Sequence, residues 1–123
     1  MKVVKSGNRS STYGGLFTGQ VELEMLNEGS SDSDPDTAFV HFSDGALTNW
    51  HHHPGGQLLY LVSGQGRVGT KSDGTVFLQP GSLVVAPPNE EHWHGAAPNT
   101  NCTMLAITWG TTCWHDETPD VDS

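Results

Sequence analysis

The sequence predicts an all-β domain. Three observations carry that reading: short apolar runs recur roughly every ten residues with turn signals between them, 15 glycines and 7 prolines punctuate 123 residues, and no window sustains a helical period. A chain of 123 residues fits one domain, since single domains commonly span roughly 100–200 residues. The expected organisation is an N-terminal segment over 1–15 that forms an exchanged or edge strand, a β-domain over 16–112, and an acidic tail over 113–123.

Each element follows from local pattern. Residues 16–26 (LFTGQVELEML) alternate Val21, Leu23 and Met25 with Glu22 and Glu24, the signature of a strand with one wet face. Residues 27–36 (NEGSSDSDPD) form a solvated loop. Residues 38–42 (AFVHF) make a strand, which the turn residues Ser43, Asp44 and Gly45 should end. Residues 57–63 (QLLYLVS) are the next apolar strand, closed by Gly64-Gln65-Gly66. Residues 67–70 and 75–79 flank Asp73-Gly74, a hairpin signal. Residues 82–86 (SLVVA) follow the Pro80-Gly81 turn, and 103–109 (TMLAITW) are the last clear strand. Residues 115–123 carry acid and a proline and are expected to be mobile.

Charge narrows the function. Five Lys and Arg oppose 14 Asp and Glu, the opposite of what a phosphate backbone or an anionic membrane requires. No run approaches the ~18 apolar residues of a membrane span, and the first residues lack the apolar stretch of a signal peptide, so the expected compartment is the cytoplasm. Cys102 and Cys113 are then reduced thiols without an assigned role. The partner class that remains is a small molecule.

The chemistry concentrates in histidine. In Trp50-His51-His52-His53, strand alternation sends His51 and His53 to one face and His52 to the other, and His92-Trp93-His94 repeats the arrangement. Two imidazoles on one side of a strand can share an ion, and Pro54-Gly55-Gly56 lets the chain return so that Gln57 starts the next strand beside them. An alternative is a solvent-facing polar run, but four histidines in two His-x-His units favour a metal.

These residues resemble the cupin family. Gly45, His51, His53, Gln57 and Gly64 match its first motif, G-x5-H-x-H-x3-E-x6-G, at every spacing, with glutamine in the glutamate position. Gly81, Pro87 and His92 match the second, G-x5-P-x-G-x2-H-x3-N, with Asn89 in its glycine position and Ala96 in its asparagine position. The resemblance implies a single-domain jelly-roll β-barrel, a divalent metal on His51, His53, Gln57 and His92, and a homodimer or higher homo-oligomer built by pairing outer strands. The run His92 to Pro98 (HWHGAAP), with Phe17-Thr18-Gly19 and Gln57, is similar to small bacterial cupins that include manganese-dependent hydroxynitrile lyases. That likeness implies cyanohydrin cleavage, with His94 as acid or base; such relatives tend to carry a histidine where this chain has Met104. Metal-dependent polyketide cyclases and dimethylsulfoniopropionate lyases have similar sites. Manganese is the first expectation for the ion, with iron, nickel or zinc as alternatives.

Gln57 bears on the chemistry. Three imidazoles and an amide leave the ion's charge uncancelled, which strengthens it as a Lewis acid and disfavours a trivalent state. A lyase, isomerase or cyclase reaction is favoured over a dioxygenase, and a non-catalytic ligand-binding cupin ranks last. Residues sharing parity with the ligands should line the pocket: Ala38, Val40 and Phe42, then Leu59 and Leu61, then Met104 and Ala106. They suit a small, partly apolar substrate.

Overall fold

The computed structural model describes residues 1–5, 7, 9–11 and 17–121. Eleven strands run through them: β1 (Ser10–Ser11), β2 (Phe17–Asn27), β3 (Asp36–Thr48), β4 (His51–His52), β5 (Gln57–Gly64), β6 (Gly66–Thr70), β7 (Gly74–Leu78), β8 (Leu83–Ala86), β9 (His92–Ala96), β10 (Cys102–Thr108) and β11 (Cys113–Trp114). No described helix is long and apolar enough to cross a membrane.

The strands pair antiparallel in two layers. One runs β1-β2-β3-β10-β5-β8 and the other β7-β6-β9-β4-β11, and the pair Leu47–Gly95 joins them through β3 and β9. The sheet therefore curls on itself as a jelly-roll barrel. Alternation explains what fills it. In β10, Cys102, Met104 and Ala106 are buried while Thr103, Leu105 and Ile107 face outward; in β5, Gln57, Leu59 and Leu61 point in and Tyr60 points out. Phe42, Leu59, Leu61, Met104, Val68, Leu78 and Ala96 form one cluster, each large side chain contributing about 1.5–3 kcal/mol by leaving water.

Three local features depart from expectation. The residues Ser43 to Gly45 do not end β3. Asp44 and Gly45 adopt positive φ (49° and 73°) and bend the strand, which continues to Thr48 and so serves both layers. Second, Glu24 is 3% exposed and Met25 39%, the reverse of a wet-face glutamate. The N-terminal segment crosses that face: the Gly7 N–H donates to Glu24 Oε2 (3.0 Å), and Glu24 Oε1 pairs with His41 Nε2 (3.3 Å). Third, Cys113 and Trp114, placed by the sequence in the acidic tail over 113–123, form a strand that pairs with His52 and His51. Backbone bonds from Trp50 N to the Glu117 carbonyl (2.9 Å) and from His115 N to the Trp50 carbonyl (3.0 Å) extend that attachment. Ser10–Ser11 pair with β2; residues 6, 8 and 12–15 of the expected N-terminal segment lie outside the described residues.

Where the second motif's glycine is replaced, the backbone demand persists. Asn89 sits at φ 67°, a conformation asparagine tolerates better than most residues with a Cβ. Its N–H donates to the His53 carbonyl (2.9 Å), tying that turn to the histidine strand.

Candidate metal centre

The histidines converge because β9 lies beside β4, with His51 directly opposite His92. One ring nitrogen from each of His51, His53 and His92 lies within 4.8 Å of the others. Ring centroids are 4.5 Å apart for His51–His92, 4.9 Å for His51–His53 and 5.2 Å for His53–His92. This three-histidine cluster could hold a metal ion.

Hydrogen bonds orient each ring from behind. The Nδ1–H of His51 donates to the Asn49 carbonyl (2.8 Å), and that of His92 donates to the Glu90 carbonyl (3.0 Å). His53 Nδ1 lies 3.0 Å from Thr112 Oγ1. A carbonyl accepts only, so His51 and His92 carry lone pairs on Nε2, the form that binds metal.

The donor set passes two tests of fit. His53 Nε2 is buried without a hydrogen-bond partner, a costly arrangement that an ion relieves. His92 Nε2 faces Gln57 Oε1 at 3.0 Å, while Gln57 Nε2 donates to Thr108 Oγ1 (2.9 Å). In that orientation two acceptors confront each other, and a shared cation converts the contact from repulsive to favourable.

Burial keeps all these rings neutral. Removal from water holds His51 well below its ordinary pKa, with neighbouring His92 adding to the effect, and brings His53 down to about 4. The same cause lowers His92 and, more strongly, His94. Neutral imidazole is the ligand form at pH 7.

His94 stands outside the three-histidine cluster. Its backbone N–H donates to Thr48 Oγ1 (3.1 Å), and its ring meets Phe42 edge-on at 5.6 Å. Nδ1 of His94 is buried without a partner, and the residue lines a cavity of about 380 Å³. His51, His53 and Gln57 also line it. His52, on the opposite face, contacts His115 at 2.9 Å.

The expected pocket residues separate by depth. Ala38, Val40 and Ala106 line the cavity, whereas Phe42, Leu59, Leu61 and Met104 belong to the core beyond it. Parity fixes which face a side chain uses, but position along the strand fixes how deep it sits, and the cavity opens at one end of the barrel. Met104 thus packs in the core and does not reach the site. Phe17, Leu23, Met25, Thr108, Thr112 and Trp114 complete the wall together with Thr48 and one carboxylate, Asp36. Thr108 is within reach of sequence reasoning, because it continues the parity of Met104 and Ala106 and pairs with Gln57. Thr112 and Trp114 carry no periodic signal. Arg67 is buried with its guanidinium on the carbonyls of Ala96 (2.8 Å) and Gly45 (3.3 Å), so it is occupied structurally.

Comparison with known proteins agrees with the fold. Residues 38–108 match the family model described as Cupin domain. The (R)-mandelonitrile lyase of Granulicella tundricola is 38% identical over 109 residues, covering 87% of this chain and 83% of that protein. A cupin-like protein from Thermotoga maritima superposes with a TM-score of 0.82 at 31% identity, over 98% of this chain and 92% of that one. The polyketide cyclase RemF from Streptomyces resistomycificus shares the fold, with a TM-score of 0.74 at 17% identity over 100% and 87% of the two chains.

Proposed function

The chain belongs to the cupin family, and on that premise we propose that it is a metal-dependent lyase cleaving and forming small, partly apolar cyanohydrins. His51, His53, Gln57 and His92 are the proposed ligands of one divalent transition metal, manganese first. The observation that carries the reading is a neutral donor set, three imidazoles with an amide oxygen beside them, at a cavity whose exposed surface is mostly apolar. The similarity to a mandelonitrile lyase supports the reaction class.

Bound there, the ion supplies Lewis acidity towards a substrate oxygen. The protein's own residues do the rest. Phe17 and Trp114, with ring centroids 5.4 Å apart, offer an aromatic wall for the substrate's apolar body. His94, neutral and with Nδ1 unpartnered, takes the hydroxyl proton. The O–H electron pair becomes the carbonyl π bond, the carbon–carbon pair leaves with cyanide, and His94 returns the proton to cyanide.

The test begins with elemental analysis of freshly purified protein, followed by release of benzaldehyde from mandelonitrile before and after chelation. Expected are about one transition metal per chain, loss of turnover on stripping and its return with manganese. His94→Ala should lower kcat by roughly 10²–10⁴-fold with metal content unchanged. Absence of stoichiometric metal, or no turnover by the loaded protein, overturns the proposal. Oxygen consumption by iron-loaded protein would instead mark a dioxygenase.

A further inference from the structure

The segment after β10 returns to the site and grips the histidine strand on both faces. Cys113 and Trp114 pair with His52 and His51, and the Asn49 side-chain amide donates to the His115 carbonyl (3.3 Å). On the outer face, His52 Nδ1 meets His115 Nε2 at 2.9 Å. On the inner face, the Trp114 ring lies 4.6 Å from that of His51, tilted by 40°. Thr112 is therefore fixed, and its Oγ1 lies 3.0 Å from His53 Nδ1.

The three rings differ in how they are oriented. Backbone carbonyls within two residues hold His51 and His92, so β4 and β9 supply those partners themselves. His53 depends on a hydroxyl 59 residues away in sequence. A hydroxyl can donate or accept. If Thr112 donated, the His53 proton would sit on Nε2, which is buried and makes no hydrogen bond, the neighbouring Gln57 oxygen being turned to His92 Nε2 at 3.0 Å. The arrangement that leaves no buried N–H unpaired has His53 Nδ1–H donating to Thr112 Oγ1, with the Nε2 lone pair turned towards His51 and His92.

We propose that Thr112 is the positioning residue of His53, holding its ring in the Nδ1–H tautomer, and that β11 exists to place it. This rests on the reading of His53 as a ligand. Outer partners of ligating histidines are commonly worth 10–100-fold in metal affinity. Because Thr112 is only half-buried, valine should replace it without loss of the fold.

The test compares the parent protein, Thr112→Val and Thr112→Ser by three measurements made without substrate. Imidazole ¹⁵N NMR of the metal-free protein reads the His53 tautomer. Chelator competition reads manganese and zinc affinity, and thermal melting of the stripped protein reads folding. Thr112→Val should populate the Nε2–H tautomer and weaken metal binding by about 10–100-fold with little change in melting. Thr112→Ser, which keeps the hydroxyl, should stay close to the parent in both. An unchanged tautomer in Thr112→Val overturns the proposal, as does serine proving as weak as valine, which would assign the effect to packing of the methyl group. If the parent binds no metal, the functional reading fails, and the tautomer measurement still decides whether Thr112 sets the ring.

Discussion

Gly69→Ala tests the packing that holds the histidine strand. Gly69 lies directly opposite Trp93 across β6 and β9, and Trp93, 3% exposed, separates His92 from His94. A Cβ on Gly69 would come 2.3 Å from Trp93 Cε2 and 2.4 Å from Cζ2 and Nε1. Optimal carbon contacts begin at about 3.5 Å, so the indole, itself 3% exposed, must withdraw by about 1.2 Å. Overpacking of that kind costs about 1–3 kcal/mol. Without the clash the sign reverses, because alanine for glycine inside a strand gains about 0.5–1 kcal/mol. A double-mutant cycle with Trp93→Leu separates the two. Urea unfolding of chelator-stripped samples, followed by circular dichroism, should show Gly69→Ala destabilising the parent by about 1–3 kcal/mol but not the Trp93→Leu background. A cost under about 0.5 kcal/mol in the parent, or the same cost in both backgrounds, would refute the reasoning.

Four further outcomes are expected. In metal-free protein, His53 titrates near 4 when folded against 6.5 for the ordinary ring; above 6.5 both states are neutral, and below it the unfolded chain binds the proton first. Stability should therefore fall with acid, by about 1.4 kcal/mol from this ring at pH 5.5, and His53→Gln should abolish that share in urea titrations at two pH values. Gln57→Glu cancels one unit of the ion's charge, so it should tighten metal binding and lower kcat by about tenfold or more, about 1.4 kcal/mol of barrier; an unchanged kcat contradicts the charge argument. A thiol reagent at pH 8 should modify exposed Cys113 and spare buried Cys102, whose thiol burial pushes up to about 12, giving one equivalent in native protein and two in guanidinium. Leu83 and Val85 are exposed beside Tyr60 and Leu58 on the outer face. A second copy is expected to cover them, so sedimentation should give a dimer that Leu83→Lys dissociates.

Much of the fold and of the site is legible in the residues themselves. Alternation in 103–109 and 57–63 locates β10 and β5, Asp73-Gly74 locates the β6–β7 hairpin, and the two His-x-His units identify rings that the barrel brings together. Where legibility ends, the cause is physical. Two-residue strands such as β4 and β11 have no period to detect; tertiary pairing defines them. Ser43 to Gly45 have turn chemistry, but a positive-φ pair inside a long strand bends it as readily as ending it. Glu24 reads as wet because alternation cannot foresee a second segment, here Gly7, crossing the outer face. Phe42 and Met104 share a face with Val40 and Ala106 but differ in depth, which no single strand reveals.

The attachment of β11 to β4 also has a consequence for biosynthesis. The histidine strand has β9 on one side and β11 on the other, and Trp114 follows His51 by a long stretch of chain. A nascent chain that has exposed His51, His53 and His92 to solvent holds all three imidazoles, yet lacks one flank of the strand that presents them. Ions captured during synthesis would meet an unfinished cradle and exchange freely. The complete cradle would form only once residues 112–117 have docked.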